Sequence, residues 1–254
     1  MKYLLILLFT ITMSVAQAES YALYHYDSNE YVESQDIDHS RSIASITKLF
    51  TAIVVLRSGI DLDQYVVADC TSHGHVAKGN RVTTRDLLIA TIVSSDNCAA
   101  ESLANTYPGG FNRFSYDRKE YINGMGLIHT SLIDATGLSV FNMSTVADLV
   151  KFIGVAYQNE TLRTIASLPN ATITVYGKKN KKIILHLTNT NPSVIKYNNI
   201  VLSKTGFTNS AGRCVVMLVR KFDTFFAVVI LGEPNLRART RVAEKLLAYE
   251  TTSR

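Results

Sequence analysis

An α+β fold is predicted for this 254-residue chain, with one antiparallel sheet built by strands from both ends and helices packed against it. The pattern changes character twice. It opens on a β-rich hairpin, passes through helix-periodic segments, and ends in β-branched and aromatic runs separated by turns. No Pro/Ser-rich linker, internal repeat or low-complexity tract divides the chain, so one compact domain is expected after residue 18.

The elements follow in order. "MKYLLILLFTITMSVAQAES" opens with one lysine, runs apolar, and reaches Ala-Gln-Ala. This is the pattern of a secretory signal peptide over residues 1–18, leaving a domain of residues 19–254 and placing it in the periplasm. "YALYHYDSNEYVES" reads as a hairpin around "DSNE". "SIASITKLFTAIVVL" places Ile46, Phe50, Ile53 and Val54 at helical spacing, and the helix runs to about Arg57, where Gly59 stops it. "TTRDLLIATIVSS" is a helix capped by Thr83 or Thr84, "NCAAESLANTY" a second stopped by "PGG", and "FNRFSYDRKEYINGMG" a third closed by glycine. "STVADLVKFIGVAY" is a fourth, capped by Ser144. Then come five strand-like runs: "ATITVYG", "KIILHLT", "NIVLSKTG", "RCVVMLVR" and "TFFAVVIL". An amphipathic helix over about residues 235–250 closes the chain.

The formal net charge is +5, or +4 without Lys2. Basic clusters at "GKKNKK" and "NLRARTR" suit an anionic wall polymer. No base-stacking module accompanies them, so nucleic acid is not the expected partner. "GKKNKK" should form a solvated hairpin tip. The last helix allows at most a peripheral contact with a membrane, and no second apolar stretch is long enough to span one. Cys70, Cys98 and Cys214 are odd in number, so at least one is free or pairs between chains. Cys98 reads as a small buried residue. No metal-ligand spacing is present; His73 and His75 lack a third partner. No metal and no cofactor are called for.

Three motifs carry chemistry. Ser45 and Lys48 in "SITK" lie one helical turn apart on one face. A serine hydroxyl becomes a nucleophile when a base takes its proton. Lysine can be that base if apolar surroundings or a second cation depress its pKa. The pattern alone is weak; "SVIK" at Ser193–Lys196 repeats it, in an expected loop or strand where the two side chains would not share a face. "SSDN" places Ser95, Asp96 and Asn97 in a turn between helices, and "LSKTGFT" places Lys204, Thr205 and Gly206 at a strand end. Ser95 can relay a proton to a leaving amine, and Asn97 can bond a substrate amide and Lys48. Lys204 adds charge that helps keep Lys48 neutral and attracts a carboxylate, to which Thr205 can donate. Gly206 lets an extended peptide lie along the strand. The amides of Ser45 and Phe207 form an oxyanion hole. Asp96 reads as an exposed or helix-capping carboxylate in preference to a catalytic one. Arg213 is open to two readings, a contact to substrate carboxylate or an exposed strand-end residue.

S-x-x-K, S-D-N and K-T-G in that order are the signature of penicillin-recognising serine enzymes. With "VSSDNCAAESLANTYPGG", "GLIHTSLIDATGLSVFNMST" and "LSKTGFTNSAGRCVVM", the chain resembles the low-molecular-mass penicillin-binding proteins, the serine D-Ala-D-Ala peptidases, and within them the periplasmic D-alanyl-D-alanine endopeptidases. The resemblance implies the fold of serine β-lactamases and D,D-peptidases, with an all-helical part beside the sheet. It also implies acyl-enzyme chemistry on peptidoglycan stem peptides and inhibition by β-lactams.

Two details favour an endopeptidase over a carboxypeptidase. Only 48 residues follow Gly206, whereas carboxypeptidase relatives continue into a second β-rich domain and an amphipathic helix. Those relatives also often carry Asn-Arg-Asn before the Lys-Thr-Gly strand, and here Thr190 replaces the arginine. A β-lactamase is disfavoured because no glutamate lies between Glu120 and Glu160, where a class A enzyme needs one. A catalytically silent wall-binding protein is disfavoured because no motif residue is missing.

Overall fold

The computed structural model describes residues 20–221 and 223–249. The expected signal peptide lies outside them. Strand β1 (Ser20–His25) turns through a left-handed Asn29 into β2 (Glu30–Gln35), the expected hairpin. A short β3 (Arg41–Ser42) leads to one 3-10 turn, Ala44–Ile46, which runs into α1 (Thr47–Arg57). Ser45 therefore sits in the tight turn before the helix rather than in the helix. Residues i and i+3 eclipse in a 3-10 turn, so Lys48 still lies beneath Ser45. Every α1 residue from Thr47 to Val55 is buried, so this is a core helix on all sides rather than an amphipathic one. Gly59, at φ +71°, follows its end.

Next come β4 (Tyr65–Val67), β5 (Arg81–Thr83) and α2 (Thr84–Val93), whose cap is Thr83. Then α3 (Asn97–Asn105) is capped by Asp96, and α4 (Gly110–Gly124) follows. Strand β6 (Met143–Ser144) pairs with β3. Ser144 is thus strand, and Thr145 rather than Ser144 caps α5 (Val146–Ala156), because its hydroxyl reaches the Asp148 amide. A helix not anticipated, α6 (Glu160–Ala166), is capped by Asn159. The remainder is β7 (Asn170–Tyr176), β8 (Lys182–Thr188), α7 (Pro192–Lys196), β9 (Ile200–Thr208), β10 (Gly212–Lys221), β11 (Thr224–Glu233) and α8 (Leu236–Leu247). Among the described residues, no helix is long and apolar enough to cross a membrane.

A five-stranded antiparallel sheet in the order β2-β1-β11-β10-β9 joins both ends of the chain, as expected. The late strands do not all enter it. β7 and β8 pair with β4 and β5 in a separate four-stranded sheet. The physical reason is in the burial. β7 buries only alternate residues, Ile173 and Val175, as a one-sided strand does, whereas β10 is buried continuously from Cys214 to Val219. Two-sided strands fit the centre of a sheet covered on both faces. One face packs on α1 and α5, where the Phe50 and Phe152 rings stack. The other packs Val215, Met217 and Val228 against Ala243 and Leu246 of α8.

Candidate active site

Ser45, Ser95, Thr205, Gly206 and Phe207 line one cleft of about 270 Å³, with Thr190, Pro192, Arg213, Leu236 and Arg239. Lys48, Asn97 and Lys204 stand behind its wall. Lys48 is fully buried at 0% exposure and Lys204 is at 1%. The three motifs, separated by up to 161 residues from Ser45 to Gly206 in the chain, converge because α1, the α2–α3 turn and β9 meet there.

Lys48 Nζ lies 2.9 Å from Ser45 Oγ, 2.7 Å from Asn97 Oδ1 and 2.5 Å from the Thr136 carbonyl oxygen. The last two are acceptors only. A neutral amine has two N–H groups and one lone pair. Its two hydrogens can serve those acceptors while the lone pair receives the Ser45 hydroxyl. Burial lowers the Lys48 pKa to about 7, against the nearby charges of Asp134 and Asp96, which pull it up. Burial also holds Lys204 well below the usual lysine range, followed by the charges of Lys48 and Arg239. Lys204 Nζ donates to Ser95 Oγ at 2.8 Å and to its neighbour's carbonyl, Thr205 O, at 3.0 Å. Ser95 has φ 59°, a left-handed turn residue that aims its hydroxyl into the cleft.

Asp96 is a cap. Its carboxylate accepts from the Ala99 amide at 2.8 Å and the Val76 amide at 2.9 Å, and it is buried. Cys98 is more than a small packing residue: it forms a disulfide with Cys70, while Cys214 is free and buried.

β9 is an edge strand of the five-stranded sheet, so its outer side can take an extended peptide. The need for glycine at 206 has a second cause. A Cβ there would lie 2.8 Å from the Ile43 carbonyl oxygen and 3.0 Å from the Ser45 nitrogen. The strand must press on the serine's own turn, and a side chain would push it away.

Several residues of the site were not singled out from the sequence. The Thr136 carbonyl belongs to a loop organised by Asp134, whose carboxylate accepts from the amides of Thr136, Gly137 and Ser139 and from the Thr136 hydroxyl. Burial raises the Asp134 pKa, but those amides together lower it by more, leaving it below the ordinary carboxylate value. Arg118 holds the same loop through the carbonyls of Asp134 and Leu132. Gly137 has φ +88°, and a Cβ there would collide with the Ala44 carbonyl and lie 2.7 Å from the Ser45 nitrogen. The Asp-x-Thr-Gly run was the available signal. Arg239 was the other omission. It is buried, donates to the Cys214 carbonyl at 3.4 Å, and has its pKa lowered by burial and then by Arg213.

Arg213 stacks 3.7 Å above the Phe207 ring, and its Nε is buried without a hydrogen-bond partner among the described residues. The cleft therefore has two guanidinium groups although residue 190 is threonine, whose hydroxyl bonds Thr205 Oγ1 at 2.6 Å. The "SVIK" repeat is also helical after all, since Pro192 starts α7. Lys196 turns to the surface and pairs with Glu244 at 3.1 Å, so this second pattern builds no site.

The family profile for D-alanyl-D-alanine carboxypeptidase, Peptidase S11, matches residues 9–235. The chain belongs to this family. Two curated relatives are D-alanyl-D-alanine endopeptidases: that of Escherichia coli K12 is 35% identical over 199 residues, and that of Pseudomonas aeruginosa PAO1 is 36% identical over 199. Each match covers 75% of this chain and 63% of the relative, so the chain spans under two thirds of their length. Among solved structures, the crystal structure of the Streptomyces K15 DD-transpeptidase aligns with TM-score 0.85 and 25% identity, covering 93% of this chain and 98% of that one. The S11 chain thus has the serine β-lactamase and D,D-peptidase fold.

Proposed function

We propose that this protein is a serine D,D-endopeptidase that hydrolyses D-alanyl cross-links between peptidoglycan stem peptides and is acylated by penicillin. The 2.9 Å contact between Lys48 Nζ and Ser45 Oγ carries the reading. Neutral Lys48 takes the hydroxyl proton as Ser45 Oγ bonds to the D-alanyl carbonyl carbon. The amides of Ser45 and Phe207 hold the oxyanion. Collapse of the tetrahedral intermediate breaks the C–N bond, and the proton held by Lys48 passes to the leaving amine by way of the Ser95 hydroxyl, which Lys204 positions through a 2.8 Å hydrogen bond. Asn97 orients both Lys48 and the peptide. Water then attacks the ester carbonyl as Lys48 takes its proton, the bond from that carbon to Ser45 Oγ breaks, and Lys48 returns the proton to Ser45. No metal or cofactor enters these steps. The apolar leader of residues 1–18 supports delivery to the periplasm, where this substrate lies.

The endopeptidase reading is supported by the relatives named so at 35% and 36% identity, against 29% for the carboxypeptidase of Streptomyces K15. One observation supports carboxypeptidase activity as the second reading. Arg213 and Arg239 line the cleft and could hold a terminal carboxylate. The test offers a cross-linked muropeptide dimer and a monomeric pentapeptide in parallel, with products weighed by mass spectrometry. Splitting of the dimer alone is expected. Loss of the last alanine from the pentapeptide, with the dimer intact, favours the second reading. Ser45→Ala should abolish turnover, and retained activity would overturn the nucleophile.

A further inference from the structure

The hairpin joining β7 and β8 ends in a tip that the proposed chemistry does not use. Lys178, Lys179, Lys181 and Lys182 surround Asn180 there, and all five residues are exposed. None of the four lysines appears in an ion pair among the described residues. Such a cluster repels itself, and an external polyanion relieves that repulsion.

The tip is also anchored. Arg81 of β5 is clasped between two rings, 4.4 Å from the Tyr65 centroid and 4.7 Å from that of Tyr176. Its Nη2 donates to Asn180 Oδ1 at 3.1 Å. Lys179 and Asn180 both take left-handed conformations, φ 54° and 57°, so the chain reverses tightly and the lysines fan outwards. A fifth cation thus sits beneath four, and all five are carried on one sheet.

We propose that this tip is a docking surface for the anionic, carboxylate-bearing wall polymer that carries the scissile peptides, so the inference rests on the peptidase reading above. Three features argue for that partner. Lysines are flexible point charges suited to many weak contacts along a repeating carboxylate polymer, and such contacts multiply. The residues from Lys178 to Lys182 include no apolar side chain to enter a lipid interface. Strand β8 runs from the tip to Thr188, and Thr190 lines the cleft. At about 3.3 Å per residue, the tip stands roughly 25 Å from the cleft along the strand. One polymer can therefore engage both.

The experiment compares the purified protein with K178Q/K179Q/K181Q/K182Q. Each is sedimented with lipid-free sacculi at low and high salt, and each is labelled with a fluorescent penicillin. The parent should sediment at low salt and be released at high salt. The variant should bind about fifteenfold more weakly, the product of four exposed contacts each worth roughly a factor of two. Its labelling rate should equal the parent's, which shows that the fold and the cleft are intact. Equal sedimentation of variant and parent would overturn the docking surface. So would lysine-dependent binding to phosphatidylglycerol vesicles with sacculus binding unchanged, which would assign the tip to a membrane. A parent that takes no penicillin label would instead overturn the peptidase reading, which separates the two failures.

Discussion

The Thr136 carbonyl accepts a hydrogen bond from Lys48 Nζ at 2.5 Å, across 88 residues of chain. One helical turn on, Thr51 donates to the adjacent carbonyl, Ala135, at 2.7 Å. The loop that begins at Asp134 is therefore docked along α1, and Asp134 sets its shape. Asp134→Ala would leave the amides of Thr136, Gly137 and Ser139 without their acceptor. A loss of about 3 kcal/mol in urea unfolding is expected, with penicillin acylation slowed at least about tenfold as the Thr136 carbonyl moves. A variant with unchanged acylation would show that the loop does not position Lys48.

Acylation should rise with pH through about 7, where Lys48 loses its proton, and level off above. The same group gives stability a sign. Its folded pKa lies below its unfolded value, so the unfolded chain binds more protons between about 7 and the ordinary lysine value of 10.5. Unfolding free energy from this group therefore increases with pH across that window, and the destabilisation is complete below it. Burial of Lys204 acts in the same direction. Stopped-flow acylation and urea melts across pH 6–10 measure both.

Gly206→Ala should fold, because β9 remains paired with β10 along its length. It should also lose acylation rate by about a hundredfold, as the new methyl displaces the turn that carries the Ser45 amide. Burst labelling by penicillin, read beside a thermal melt, separates the two effects.

The Cys70–Cys98 bridge spans a sequence separation of 28 residues and begins one residue after Asn97. The loop it closes is also fastened through Glu101, which accepts from the Thr71 and Ser72 amides. Cys70→Ser with Cys98→Ser should lower unfolding free energy by about 3 kcal/mol. A double variant as stable as the parent in urea would show that Asp96 and Glu101 hold the loop unaided.

Arg213→Gln should raise KM about tenfold on the scissile peptide and leave kcat nearly unchanged, if the guanidinium binds substrate and transition state alike. A fall in kcat at constant KM would place its effect on the reacting atoms instead.

The cluster was legible where it is made of side chains. Ser45, Lys48, Ser95, Asn97 and Lys204, which the structure brings together, could be singled out because each motif needs those residue types at those spacings. Thr136 was not, because it contributes a carbonyl that every residue has. Arg239 was not, because only the packing of α8 on the sheet brings it to the cleft. Placing β7 and β8 with the other late strands ignored a signal that was present. "ATITVYG" alternates polar and apolar residues, whereas "RCVVMLVR" has a continuous apolar core. The 3-10 turn at Ser45 carries no such pattern, since its geometry is imposed by β9 and Gly137 pressing on it from two sides.

The central sheet is sewn together from the two ends of the chain: Ser20 pairs with Leu231 and His25 with Phe226. A polypeptide made or threaded N-terminus first has its opening hairpin waiting, unpaired on one side, until the final third arrives. The strand that presses Gly206 against Ser45 settles in that same late step. The turn that carries Ser45 is thus completed only when nearly all of the described chain is in place.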